Sequence, residues 1–343
     1  MNLSRSLNRV VCVLSFCLAV SASCPNATWA LEHIRLPQVD EQFVARDTLT
    51  CDPVEDADTA DCLAGLRWTP AEFTVTIETP QVKQGDLAVT FPSPHPSGNP
   101  VHDRVFMEWY AARDQAGLVG CAPAVVVVHE SGRSMPVGRL VARGLSILGV
   151  HAFMIQMPGY GQRRTEMADR PENLVQSMRQ AVGDVRRAFD AVAALPVVDQ
   201  KRLGVQGTSL GGFVTATVLG LDSAYSHGFI LLAGGQLDRV LLEGARDAAK
   251  MRAQLQSIGI DDDQLRQLVK VIEPLRLAKR VDPDRTWLYR GAFDNVVPPA
   301  SSLAFAKATG LSDEHHIVMP VDHYTGVIFL PGVLQQIANQ MLR

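Results

Sequence analysis

Apolar and polar residues alternate at period two from Phe73 to Thr79 (Phe-Thr-Val-Thr-Ile-Glu-Thr), the pattern of a half-buried strand. A loop with Pro92, Pro94, Pro96 and Pro100 follows, and Arg104 to Ala111 predicts a second alternating strand. The pattern then changes. Ala124 to Val128 is a continuous, largely β-branched run, as expected of a strand buried on both faces of a parallel sheet. Residues 136–147 read as a helix and Val150 to Ile155 as another strand. From Leu174 to Leu195, Val175, Met178, Val182, Val185, Phe189 and Val192 recur at spacings near three and four, predicting a long amphipathic helix. Leu203 to Gln206 is a short strand that runs into glycine, and a helix starts at Leu210. Phe229–Ala233, Thr286–Arg290 and His316–Met319 are further strands, and Val333 to Leu342 is a closing helix. Strands alternating with helices predict an α/β fold with a mostly parallel central sheet flanked by helices.

Two stretches break this rhythm. Residues 31–68 are loop-rich, so residues 31–103 form an N-terminal extension with one or more strands ahead of a main domain over 104–343. Leu237 to Lys279 is helical in pattern and lies between two strands, where a plain crossover needs only about a dozen residues. The excess predicts an inserted helical cap over about 237–279. Leu241, Leu242, Met251, Leu255 and Ile258 within it either roof a pocket or pack the cap onto the core.

The first thirty residues have a different character. Arg5 and Arg9 precede the apolar run Val10 to Val20, and small and polar residues continue to Ala30. This is the make-up of a signal peptide over residues 1–30, removed on export; an uncleaved N-terminal anchor is the alternative. The run falls short of the roughly 20 apolar residues of a membrane span, and no later run matches it, so no integral span remains once it is removed. The expected location is periplasmic or secreted. Composition changes the picture little: 47% hydrophobic residues, 20% charged and a net charge of -4 argue against a disordered chain and supply no global basic field for nucleic acid, which leaves only a local basic patch open.

Export makes a disulfide reasonable. Of the six cysteines, Cys51, Cys62 and Cys121 lie beyond the signal, and Cys51 and Cys62 flank an acidic loop, so these two are expected to pair, with Cys121 as an alternative partner for either. No cysteine has zinc-site spacing, and the adjacent His315 and His316 would point apart on a strand, so no metal is expected.

The chemistry begins at Gly207-Thr-Ser209-Leu-Gly211-Gly212, between the strand Leu203–Gln206 and an apolar helix. A Gly-x-Ser-x-Gly at a strand-to-helix turn holds the serine in a strained conformation with its hydroxyl raised above the sheet, and glycines flank it because the turn leaves no room for side chains. The N–H of Leu210 then faces the place where an oxyanion would form. With this motif, and with Asp184-Val-Arg-Arg-Ala-Phe-Asp190 and Val198 to Val205 leading into it, residues 104–343 resemble the α/β-hydrolase superfamily, closest to its dienelactone-hydrolase and acetyl-esterase-like branch.

The resemblance implies the remaining parts. Gly291-Ala-Phe-Asp294-Asn-Val-Val-Pro298 is similar to the family's acid turn and gives Asp294; Asp238, after the preceding strand, is the runner-up. His323, in the loop after the last strand, would be the base, in the order nucleophile, acid, base. The loop His129-Glu130-Ser131-Gly132-Arg133 would supply the second oxyanion donor, from the N–H of Ser131 or else of Glu130. The Glu130 carboxylate either binds a polar substrate group or holds the loop, and Arg133 pairs with it or meets an anionic substrate. Pro158-Gly-Tyr-Gly-Gln-Arg163 resembles a tight turn near the site. A P-loop lysine and a dinucleotide fingerprint are both missing, so no cofactor is expected.

These parts imply a serine esterase that cleaves a small-molecule carboxylic ester through an acyl-enzyme on Ser209. A serine peptidase of the prolyl-oligopeptidase type, or a catalytically silent α/β-hydrolase used for binding, are the alternatives.

Overall fold

The computed structural model describes residues 35–80, 84–165 and 171–343. The expected signal peptide lies outside these residues. Ten strands form one sheet: β1 (Gln42–Arg46), β2 (Glu72–Glu78), β3 (Leu87–Pro92), β4 (Arg104–Tyr110), β5 (Ala122–Val128), β6 (His151–Gln156), β7 (Val198–Thr208), β8 (His227–Leu231), β9 (Thr286–Gly291) and β10 (His316–Met319). Their order is β1-β2-β3-β4-β6-β5-β7-β8-β9-β10. The sheet is antiparallel from β1 through β4 to β6, and parallel from β6 to β10.

The valine run explains the layering. In β5, Ala124, Val126 and Val128 pack into one core, shared with α4 (Leu174–Ala193) and α5 (Leu210–Leu221). Val125 and Val127 pack into the other, shared with α3 (Pro136–Ile147) and α10 (Leu330–Met341). A strand covered on both faces needs no polar side, which is why the alternation disappears there.

The N-terminal extension continues the sheet. Its β1 and β3 were not apparent from the residue pattern, whereas β2 was. Two buried arginines of α4 clamp this extension: the Arg187 guanidinium meets Asp47 at 2.5 Å, and Arg186 meets both Asp190 at 2.9 Å and Asp222 at 2.7 Å. Asp190 in turn accepts from the Thr48 hydroxyl at 2.6 Å. Further on, α1 (Ala57–Ala64) docks against the turn after the inserted helices, where Arg276 pairs with Asp58 at 2.9 Å and Asp61 at 2.8 Å.

The expected Cys51–Cys62 disulfide is not formed, and Cys121 does not replace either partner: all three thiols are free. Cys62 sits on the inward face of α1 at 1% exposure, while Cys51 is exposed. Burial pushes the Cys62 thiol up to about 11, so it behaves as a small core residue.

Between β8 and β9 the chain forms α6 (Leu237–Glu243), α7 (Asp247–Ser257) and α8 (Asp262–Lys270), then two short 3-10 turns. Glu273 joins the two ends of this insertion. Its carboxylate accepts from the N–H groups of Gln236 at 2.9 Å and Leu237 at 2.7 Å, where the insertion starts, and of Leu275 at 2.9 Å, where it ends. A short α2 (Pro100–Asp103) and α9 (Pro299–Thr309) complete the described helices. Among the described residues no helix is long and apolar enough to cross a membrane.

Candidate active site

Parallel strands direct all their C-terminal ends to one edge of the sheet, and the loops that leave there converge. Ser209 follows β7 with φ 53° and ψ -117°, a conformation that side chains rarely adopt. The neighbouring glycines make it possible. A Cβ on Gly207 would lie 2.1 Å from the Gly211 carbonyl oxygen, and one on Gly211 would lie 2.2 Å from that of Val128. The turn is therefore pressed against β5 with no space for side chains.

His323 and Asp294 arrive from the loops after β10 and β9. The Ser209 hydroxyl lies 2.9 Å from Nε2 of His323, and Nδ1 of His323 lies 2.7 Å from Oδ2 of Asp294. The carboxylate fixes the tautomer: Nδ1–H donates to Asp294, which leaves Nε2 to accept the serine proton. Asp294 is itself held, since its Oδ1 accepts from the N–H groups of Val296 at 2.9 Å and Val297 at 2.8 Å. Asp238, the runner-up acid, lies instead in the first turn of α6. His315 and His316 sit at the opposite end of β10; His315 Nδ1 meets the Pro283 carbonyl, and His316 Nε2 accepts from Arg290.

Leu210 is the first residue of α5, where a backbone N–H has no partner within its helix and the helix dipole is positive. Across from it lies the loop after β5. His129 holds this loop: its ring is fully buried, Nδ1 lies 2.6 Å from the Glu130 carbonyl oxygen, and Nε2 accepts from the Met157 N–H at 3.1 Å. Burial pushes its pKa down to about 4, so the ring is neutral at ordinary pH. The Tyr160 hydroxyl donates to the Ser131 carbonyl at 3.2 Å.

Glu130 is not among the residues that line the cavity beside Ser209. Its two carboxylate oxygens accept from the N–H groups of Val137 and Gly138, both at 3.0 Å, and so cap the start of α3. Of the two roles open to Glu130, these contacts support holding the loop. Ser131 and Arg133 do line the cavity beside Ser209.

That cavity measures about 510 Å³ and lies between the sheet's C-terminal edge and the inserted helices. Its walls include Met178, Phe213, Val240, Leu241 and Ile272, and its mouth carries Arg133, Arg164, Asp247 and Lys250. Of the insertion residues singled out by spacing, Leu241 and Met251 line it, Leu255 is fully buried, and Ile258 is exposed. Among the described residues no group of three or more His, Cys, Asp and Glu could hold a metal ion.

Sequence reasoning missed two residues that shape this edge. Tyr160 lines the cavity from within the Pro-Gly-Tyr-Gly turn, where only the glycines drew notice. Arg163, at the end of the same motif, is fully buried and pairs with Asp184 of α4 at 2.7 Å.

No curated protein matches the chain. Among solved structures it is similar to an acetyl xylan esterase from Paenibacillus sp. R4 (TM-score 0.59, 15% identity, 86% of this chain and 98% of that one). It is also similar to a 2,6-dihydroxy-pseudo-oxynicotine hydrolase (TM-score 0.51, 16% identity, 70% of this chain) and to a puromycin-hydrolysing peptidase of Mycobacterium tuberculosis (TM-score 0.53, 19% identity, 79% of this chain). The chain spans 65% of that hydrolase and 46% of that peptidase. At these identities the likeness is one of fold, and the fold is that of the α/β-hydrolase superfamily. The prolyl oligopeptidase family matches residues 149–326, just over half of the chain and including both the serine turn and the histidine loop. With that match, the chain belongs to the prolyl oligopeptidase family.

Proposed function

We propose that this protein is an exported serine esterase that cleaves small carboxylic esters through an acyl-enzyme on Ser209. The observation that carries the reading is the hydrogen-bonded series from Ser209 through His323 to Asp294, at 2.9 and 2.7 Å. His323 Nε2 takes the proton as Ser209 Oγ bonds to the ester carbonyl carbon, and Asp294 stabilises the imidazolium that results. The carbonyl oxygen gains its charge beside the N–H groups of Leu210 and Ser131. The carbon–oxygen bond to the alcohol then breaks, and the leaving oxygen takes its proton from His323. Water, deprotonated by the same histidine, releases the acid and restores Ser209.

A small ester rather than a peptide is favoured by the cavity beside Ser209, which at about 510 Å³ has the size of a site for one small-molecule ligand. The described residues of 35–103 extend the sheet and buttress α4, and none of them lines that cavity. Export rests on the character of residues 1–30. The test is hydrolysis of p-nitrophenyl esters from acetate to palmitate by the wild-type protein and by Ser209→Ala, with fluorophosphonate labelling. Activity lost in the variant, and label carried on Ser209, are expected. Activity that survives the substitution would overturn the mechanism, and labelling without ester cleavage would favour peptides.

A further inference from the structure

The position of the cavity relative to the histidine separates the two halves of a substrate. The walls include Ser209, Leu210 and Ser131, yet not His323, Asp294 or Tyr324. A leaving group must depart on the His323 side, because it collects its proton from Nε2 there. On that side Tyr324, whose ring meets that of His323 edge-on, is 43% exposed, so the surface there is open. The enclosed space therefore adjoins the other half, the acyl group.

The chemistry of the walls is one-sided as well. Met178 and Phe213 from the core and Val240, Val269 and Ile272 from the insertion are all buried apolar residues on its inner wall. The charged groups, Arg133, Arg164, Asp247 and Lys250, are exposed at the mouth, and Tyr160, Ser177 and Gln254 add half-buried polar atoms to the lining. At about 510 Å³ the cavity has the size of sites that enclose a whole small-molecule ligand, far more than an acetyl group fills. Water confined against such walls gains from release, so an apolar chain that displaces it binds favourably.

We infer that the substrates carry a medium-length or aryl acyl group buried beneath the helices of residues 237–272, joined to an alcohol that is selected only weakly. This rests on the proposed role of Ser209 and goes beyond it by assigning the two substrate halves. Val240, Leu241 and Ile272 become specificity-determining residues, and the insertion becomes the acyl site.

Two isomeric esters test the assignment, because ethyl octanoate and octyl acetate have the same atoms and the same overall hydrophobicity. Ethyl octanoate is expected to react with a kcat/KM at least about tenfold higher. Ala181→Phe, on the α4 wall, and Leu241→Phe, on the insertion wall, should each lower that preference at least about fivefold, and two variants guard against one that misfolds. Equal rates, or a preference for octyl acetate, would overturn the inference. A separate arm is independent of the chemistry. In the Ser209→Ala protein, titration calorimetry should detect octanoate and not acetate at the same concentration, and Ala181→Phe should abolish the signal. Octanoate binding with no labelling of Ser209 in the wild-type protein would sink the catalytic reading and uphold the acyl site; absence of octanoate binding would sink the site.

Discussion

Arg163 and Asp184 meet at 2.7 Å with neither side chain exposed to solvent. Arg163 closes the turn that carries Tyr160, and Asp184 lies in the middle of α4, which supplies one wall of the cavity. The guanidinium also donates to the carbonyl oxygens of His102 and, at 3.0 Å, of Gln156, and the Ser93 hydroxyl donates to Asp184 at 2.5 Å. Burial raises the Asp184 carboxyl above its ordinary range, against the opposing pull of Arg163 and Ser93. A buried pair of this kind is costly to break, because the survivor is left charged without a partner. Arg163→Met is expected to lower stability by about 3–5 kcal/mol in urea unfolding. Asp184→Asn in the same chain should recover part of that loss. Additive losses would show that the two side chains do not act as a pair.

A second expectation concerns the serine turn. Gly207→Ala and Gly211→Ala would each place a methyl group within 2.2 Å of a carbonyl oxygen in the backbone. No rotation of a side chain relieves such a clash, so the turn itself must shift and carry Ser209 away from His323. Fluorophosphonate labelling of Ser209 should fall by about a hundredfold or more in whichever variant folds, in keeping with the sensitivity of nucleophile geometry. Labelling at the wild-type rate would show that the turn has slack that its contacts do not suggest.

These two cases mark where the residue pattern was informative. Ser209, Asp294 and His323 could be picked out because each stands in the first residues beyond a strand, and strands leave a clear apolar signature. The valines of β5 likewise announced a doubly covered strand. The buried charges did not show themselves: nothing in Pro-Gly-Tyr-Gly-Gln-Arg says that the arginine turns inward, since its partner lies 21 residues away on a helix. Short polar-ended β1 and the proline-terminated β3 were hidden for a simpler reason, having too few alternating positions to stand out. The cysteine pairing failed because separation along the chain carries no information about which face of α1 Cys62 occupies.

Glu130 offers a way to tell loop support from substrate contact. With both carboxylate oxygens on the N–H groups of α3, Glu130→Ala should cost about 1–2 kcal/mol of stability, the usual cost of a lost helix cap. The loop it steadies carries Ser131, so kcat should fall as well, while KM for neutral and charged esters should change alike. Glu130→Gln keeps one acceptor and should recover most of the stability. A KM effect confined to polar or cationic substrates would instead return Glu130 to the substrate.

Thiol chemistry follows from the free cysteines. Alkylation of the native protein, read by peptide mapping, should mark Cys51 and Cys121 quickly and Cys62 only after unfolding, because Cys62 is buried and its thiol is pushed up to about 11. A reducing agent should leave the Tm unchanged. A fall in Tm on reduction would restore the disulfide.

Acid stability should report the loop histidine. In the folded protein burial pushes His129 down to about 4 from a usual 6.5, so the unfolded chain binds the extra proton first. A depressed folded pKa means that this stability is fully present above about pH 6.5 and is lost as pH falls from there towards 4. Each unit of depression is about 1.4 kcal/mol, so the loss from this ring is on the order of 3 kcal/mol. His151 is buried and depressed to about 4 in the same way and adds to the same window. Urea unfolding at pH 7, 6, 5 and 4.5 should therefore show stability declining across the range. His129→Asn should lie below wild type at pH 7, since its buried bonds to Glu130 and Met157 are altered, but should decline less steeply. Because His129 joins the Ser131 loop to the turn at Met157, activity should fall along with stability in acid, and a variant with an unchanged slope would remove this ring from the acid response.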